Sequence, residues 1–305
     1  MTAPRPTRRP EAAATGRLTL GLAALGGAWG AVDEGESLAT IEAALARGVS
    51  AFDAAPSYGV AETVLGRALA DWKGPAPLIS TKAGRLPAPN AQAESYDFSA
   101  TGLRDSVHRS RDRIGVATVD VLFLHEPQCV PPPERPRVAA ALQQLRADGL
   151  VRRLGLAGGH GADWDGLLDA GVNEVVMLFR RLDACIFDGL IDDRPRLARA
   201  GAEVWQASPL HMGLLGARFE EFSRDLPEWV WAPQIARAAR LRELASAHGL
   251  TLPALAHRFA LSVAELDRIV IGAGNRAHLA ATLQDFEAGP LPEELFDAVC
   301  RINSD

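Results

Sequence analysis

The chain has 305 residues, 48% of them hydrophobic and 23% charged, enough apolar material to bury a large core as one domain or two modest ones. A formal net charge of −6 excludes the excess of clustered Lys and Arg that a nucleic-acid surface needs. Three widely spaced cysteines, Cys129, Cys185 and Cys300, exclude a disulfide framework or a zinc-type spacing, so no metal is expected and a reducing cytoplasm is the expected location.

Residues 1–16, "MTAPRPTRRPEAAATG", are basic at first but lead into no long apolar stretch, and are expected to form a disordered tail. No later run reaches transmembrane length, so no membrane partner is expected. From residue 17 to 305, short runs rich in Val, Ile and Leu alternate with segments of helical period. The strands are expected at "LTLGLAA" from Leu18, "SAFDAA" from Ser50, "PLISTK" from Pro77, "VDVLFLHE" from Val119, "RLGLAG" from Arg153, "EVVMLF" from Glu174, "AEVWQAS" from Ala202 and "RIVIGA" from Arg268. A helix is expected after each, as in "AETVLGRALADW" and "PRVAAALQQLRADG". Continuous apolar strands separated by helices imply a parallel sheet covered on both faces. Eight such units without a linker imply a single-domain α/β fold, the (β/α)8 TIM barrel. Two insertions, "AGRLPAPNAQAESYDFSA" and "PLHMGLLGARFEEFSRDLPEWVWAP", follow the third and seventh strands, at the end of the barrel where such folds carry their sites.

In that frame Asp53 closes the second strand, Tyr58 follows in the loop, Lys82 ends the third strand and His125 the fourth, so all four face one mouth. The set suits proton transfer to a carbonyl or alcohol. A phenol with a pKa near ~10 exchanges protons poorly at neutral pH, and an adjacent ammonium is expected to lower it. Asp53 would keep a buried Lys82 charged, while His125 would hydrogen-bond a substrate oxygen. Taken singly, Asp53 reads as a buried cap and Lys82 as a surface charge; the joint pattern favours a site. Glu62, in the same stretch, reads equally well as a first-turn acid stabilised by the helix dipole.

The stretch "FDAAPSYGVAETVLGRAL", with "STK" and "VDVLFLHEP", resembles the aldo-keto reductase family, and the resemblance extends along nearly the whole chain from residue 17. "TKAGR" with "YDFSA", "ASPLHMGLLG", "LPEW" and "ALAHRFALS" are similar to its aldose-dehydrogenase branch. The resemblance implies a metal-free nicotinamide enzyme moving hydride at C1 of an aldose-like sugar or at an aldehyde, with Asp53, Tyr58, Lys82 and His125 as its catalytic set. The family also contains potassium-channel β subunits, so a cofactor-binding regulatory protein is the alternative.

The glycine run "GLAALGGAWG" does not read G-x-G-x-x-G and is not expected to hold phosphate. "IGAGNRAHL" after the last strand offers glycines and a helix N-terminus to a phosphate instead, placing cofactor contacts at Gly272, Gly274, Asn275, Arg276 and His278. By resemblance, further contacts fall at Ala24, at Ala157, Gly158 and Met177, and at Ser208, Pro209 and Leu210. Where members preferring NADP carry a basic residue, Gly274 stands, so NAD is favoured over NADP. Many members hold the nicotinamide amide with Ser, Asn and Gln; Ala157, Gly158 and Met177 leave that task to backbone groups. Trp29 is a candidate for the substrate pocket, and Trp229 and Trp231 for a lid.

Overall fold

A computed structural model describes residues 5–9, 15–87 and 95–304. Eight parallel strands close on themselves in sequence order: β1 (Leu18–Gly21), β2 (Ala51–Asp53), β3 (Leu78–Ala83), β4 (Val119–His125), β5 (Val151–Ala157), β6 (Val175–Phe179), β7 (Glu203–Ala207) and β8 (Arg268–Gly272). Pairing of β1 with β8, Leu18 opposite Ile269 and Gly21 opposite Gly272, shuts the barrel and leaves no free edge. The expected fold is the one formed, one domain, with β1 and β2 three residues shorter than their apolar runs and β5 beginning two residues earlier than expected.

Strand alternation sorts the side chains into two cores. Val121 and Phe123 of β4 face inward with Val175, Met177, Trp205 and Val270, filling the barrel itself. On the outer faces, Leu122, Leu124, Leu154 and Leu156 pack under helices such as Arg135–Ala147, and Phe52 packs beneath Glu34–Ala46 and Ala61–Asp71. The same two-residue period that turns Val121 and Phe123 inward turns the next inward position of β4, His125, into the mouth.

A helix does not follow every strand. Between β5 and β6 the chain makes a 3-10 turn, Gly161–Trp164, and further turns instead. Gly161, Gly166 and Gly171 there all have positive φ (52°, 77° and 84°), incompatible with a continuous right-handed helix. The expected disordered tail also needs correction. Residues 1–4 and 10–14 lie outside the described residues, but Arg5–Arg9 are held against the barrel's other end. Arg9 N donates to Ser262 O at 2.6 Å, Ala264 N donates to Thr7 O at 2.8 Å, and Arg5 pairs with Asp297 at 3.2 Å. Part of the insertion after β3, residues 88–94, lies outside the described residues as well.

Candidate active site

The loop from β2 brings Tyr58 to the mouth by an unusually close backbone approach. Val60 N donates to Gly26 O at 2.9 Å, and a Cβ on Gly26 would stand 2.0 Å from Tyr58 O. Gly59, at φ 57°, would place a Cβ 2.3 Å from Gly26 O. Part of the glycine run after β1 is therefore a seat for the tyrosine loop: only backbone without side chains can pack there.

Asp53 and Lys82 are 2% exposed and joined at 2.5 Å, Lys82 Nζ to Asp53 Oδ2. Their remaining groups are satisfied: Asp53 Oδ1 accepts from Ser80 Oγ at 2.7 Å, and Lys82 Nζ donates to Ala54 O at 2.9 Å. This matters because a buried ion pair is tolerated only when its other hydrogen-bonding capacity is met. Lys82 Nζ also lies 4.7 Å from the centre of the Tyr58 ring, so that its charge acts on the phenol. The His125 imidazole meets the same ring edge-on, centroids 5.9 Å apart. The four side chains expected to converge do converge.

Electrostatics in this cluster differ from expectation at one point. Tyr58 opens partly to the cleft, but burial of the phenol raises its pKa above the ordinary 10.0, outweighing the lowering by Lys82 that the sequence reading relied on. Burial opposes the charge on Lys82, yet Asp53 and Tyr58 together hold its pKa above 10.5. Burial, with repulsion from Lys82 and Arg85, holds His125 well below 6.5, so its imidazole is neutral at pH 7 and donates or accepts a hydrogen bond without carrying charge.

These shifts predict the shape of the stability profile. His125 takes up a proton more readily when unfolded, so stability falls as pH drops below 6.5. Tyr58 and Lys82 hold their protons more tightly when folded, so stability falls again above about pH 10, as the unfolded chain releases protons that the fold retains. Thermal unfolding from pH 5 to 11 is expected to show both flanks. His125→Asn should flatten the acid one; an unchanged acid flank in that variant would assign it to other groups.

Glu62, left aside in the sequence, is buried at 1% exposure. Its Oε1 accepts from Thr81 Oγ1 at 2.7 Å and its Oε2 from Arg113 at 3.1 Å. It ties the helix after Tyr58 to the outer face of β3, next to Lys82, and so positions the loop without touching the cleft. Alternation places Thr81 outward when Lys82 is inward, a clue that was present in the sequence.

Above the cluster opens a cleft of about 2210 Å³, large enough for a dinucleotide and a sugar together. Ala24, Trp29, Ala157, Gly158 and Met177 line it, as do Ser208, Pro209, Leu210, Gly272 and His278. Small residues are among its lining, with Gly21 and Gly272 paired across β1 and β8, leaving room there for a flat ring over the barrel. Gly274, Asn275 and Arg276 do not line it. Asn275 Oδ1 caps the helix Arg276–Glu287 by accepting from His278 N at 2.8 Å, and Glu36 accepts from both Arg276 N, at 2.9 Å, and its guanidinium. Two of the backbone donors that the sequence offered to a phosphate are thus engaged within the protein. So is the backbone near the expected nicotinamide amide: Ala157 O accepts from Glu126 N, and Gly158 N donates to Met177 O. Gln128, whose Oε1 would lie 3.7 Å from a Cβ on Gly158, is the nearest side-chain amide at that corner.

Sequence reading also missed the rim around His125. Arg85 donates to Glu126 at 2.8 Å, and Tyr96 of the insertion donates to the same carboxylate. Glu126 has a left-handed backbone, φ 59°, so the rim holds a strained residue next to His125. Trp229 does not stand over the cleft alone: it packs edge-on against Phe222, centroids 5.3 Å apart. Trp231 is 63% exposed. Among the described residues Cys129, Cys185 and Cys300 form no disulfide, and no helix is long and apolar enough to cross a membrane.

Comparison with known proteins agrees with this geometry. The model of the aldo/keto reductase family matches residues 17–304. The chain is 29% identical to D-threo-aldose 1-dehydrogenase of a Pseudomonas species, the alignment covering 88% of this chain and 90% of that protein. It is 30% identical to L-galactose dehydrogenase of Arabidopsis thaliana, covering 83% and 78%. Among solved structures, the glycerol dehydrogenase of Gluconobacter oxydans superposes with a TM-score of 0.77 at 26% identity, covering 94% of this chain and 90% of that one. With an eight-stranded barrel, a buried acid, lysine, tyrosine and histidine at its mouth, and relatives of this kind along its length, the chain belongs to the aldo/keto reductase family and is an oxidoreductase of that family's aldose-dehydrogenase branch.

Proposed function

We propose that the enzyme oxidises C1 of an aldose, with NAD as its preferred cofactor, and that Tyr58 is the group that takes the C1 hydroxyl proton. The observation carrying this reading is the buried Lys82, held charged by Asp53 and lying 4.7 Å from the Tyr58 ring centre in the cleft. A bound nicotinamide would supply the hydride acceptor. Tyr58 receives the proton as C1 becomes a carbonyl, and the charge on Lys82 stabilises the phenolate character that develops at the moment of transfer. Burial raises the resting pKa of the phenol, so it begins protonated: in the oxidative direction it gives that proton to water in the open cleft, becoming the phenolate that Lys82 stabilises, and then takes the C1 hydroxyl proton; in the reductive direction the protonated phenol is the donor required. His125, neutral and next to Tyr58, orients the substrate oxygen through a hydrogen bond. The relatives named for D-threo-aldose and L-galactose support a sugar as the substrate class.

The preference for NAD rests on Gly274, which offers no charge where a 2′-phosphate contact is expected; Arg276, two residues on, has its guanidinium engaged by Glu36 at 2.8 Å. A Cβ on Gly274 would come no closer than 3.4 Å to His278, and its φ is not left-handed, so an arginine fits there. Gly274→Arg is expected to shift preference toward NADP by about 1.5–3 kcal/mol, the scale of a hydrogen bond to a charged group. Binding titrations of both cofactors check it, and unchanged preference would mean the adenosine lies elsewhere. The activity itself is tested by following reduced-nicotinamide absorbance with NAD or NADP over a panel of aldoses and aldehydes. Absence of turnover with every member, in either direction, would refute the reading.

A further inference from the structure

Four of the cations around the cleft have carboxylate partners. Lys82 pairs with Asp53, Arg85 with Glu126, and Arg218 with Glu221, while Arg181 meets Asp188, Asp192 and Asp193 at once. Arg180, which lines the same cleft just past β6, has no carboxylate within ion-pairing distance among the described residues. Its nearest acid, Asp183, is committed elsewhere: Oδ2 to His211 Nδ1 at 2.7 Å and Oδ1 to Cys185 N at 2.9 Å.

The guanidinium is nevertheless held in place. Its centre lies 4.6 Å from the Trp229 ring and 5.0 Å from the Phe179 ring, and Nη1 reaches Trp229 O at 3.4 Å. Nε is buried without a hydrogen-bond partner. The backbone of Arg180 is left-handed, φ 54°, a conformation that a residue with a side chain adopts only against strain. A charged group that is half-buried, oriented by two aromatic faces, under-bonded and placed on strained backbone is an arrangement that an anion completes. It would neutralise the charge that burial disfavours and accept from the free donors of a fixed planar fork.

We propose that Arg180 binds an oxyanion, a carboxylate or phosphate, at the end of the substrate remote from its reacting carbon. In the closed barrel β6 lies four strands from β2, directly across the mouth. A sugar with C1 at Tyr58 therefore extends its far end toward Arg180, and the substrate class becomes acidic or phosphorylated aldoses. This inference rests on the aldose reading of the same site.

The test compares galacturonate with galactose, and glucose 6-phosphate with glucose, in the wild-type enzyme, Arg180→Gln and Arg180→Lys, with thermal unfolding confirming that each variant is folded. Wild type should favour at least one acidic member by ~10-fold or more in kcat/KM, the scale of a charge-assisted hydrogen bond. Arg180→Gln should bring that ratio to near one, and Arg180→Lys should restore part of it. The pair that responds tells carboxylate from phosphate. Equal kcat/KM within both pairs in wild type overturns the proposal. So does a variant that weakens NAD binding while keeping the acidic preference, for the anion would then be the pyrophosphate of the cofactor. If no sugar is turned over, the aldose reading fails separately, and quenching of tryptophan fluorescence by galacturonate or glucose 6-phosphate decides. Quenching by either that is lost in Arg180→Gln upholds the oxyanion site; quenching by neither, or quenching that the variant retains, overturns it.

Discussion

Tyr58→Phe is expected to lower turnover by ~100-fold to 10,000-fold, the range by which a positioned general acid or base accelerates a reaction. The substitution removes one oxygen and leaves the ring, and with it the edge-on contact with His125 at 5.9 Å and the packing of the loop on Gly26. Cofactor affinity should therefore barely change. The measurement is steady-state turnover with the best sugar of the panel, alongside a cofactor binding titration. Wild-type turnover in this variant would remove Tyr58 from the mechanism and turn attention to His125 and Lys82, the other titratable side chains beside it.

Lys82→Met acts on both chemistry and stability. Without the ammonium, the phenol loses the interaction that opposes its burial, its pKa rises further, and any residual activity should move to higher pH. Turnover should fall about as far as in Tyr58→Phe. The fold should also weaken by about 3–5 kcal/mol, because Asp53 is left buried with a charge that only Ser80 addresses. That destabilisation has a direction in pH. An unpaired buried carboxyl has a raised folded-state pKa, so it binds its proton more tightly when folded, and the variant should recover stability on acidification where the wild type loses it. Combining Asp53→Asn with Lys82→Met should restore much of the stability at neutral pH and none of the activity. If Lys82→Met unfolds at the wild-type temperature across this range, the pair contributes nothing to the fold, and its burial serves chemistry alone.

How much of this could be read without coordinates depended on whether the signal was local. Eight apolar runs of strand length, spaced by helical segments, determined the barrel, since each run needs both faces covered and no linker divides them. The same local pattern placed Asp53, Lys82 and His125 at strand ends, because a two-residue period carries the inward face of "VDVLFLH" from Val121 through Phe123 to His125. Helix failure after β5 was also local, but apolar content masked it: three glycines at positive φ outweigh the leucines between them.

Other features depended on groups far apart in the chain, and only the tertiary structure decided them. The glycine run after β1 was not expected to hold phosphate, but what it does instead emerged only when Gly26 proved to be the surface on which Gly59 and Tyr58 rest, 32 residues away in the latter case. Arg276 looked available to a cofactor until Glu36, 240 residues earlier, was found to accept from it. Tyr58 was expected to have a lowered pKa because a neighbouring lysine could be inferred from sequence, whereas the degree of burial that reverses the shift could not. The sequence by itself determined which elements form and which side chains turn inward, since both follow from periodicity and backbone sterics. The tertiary structure alone decided which charges are paired and how strongly each group is desolvated, because Coulomb interaction and solvation depend on distances in space that chain separation does not encode.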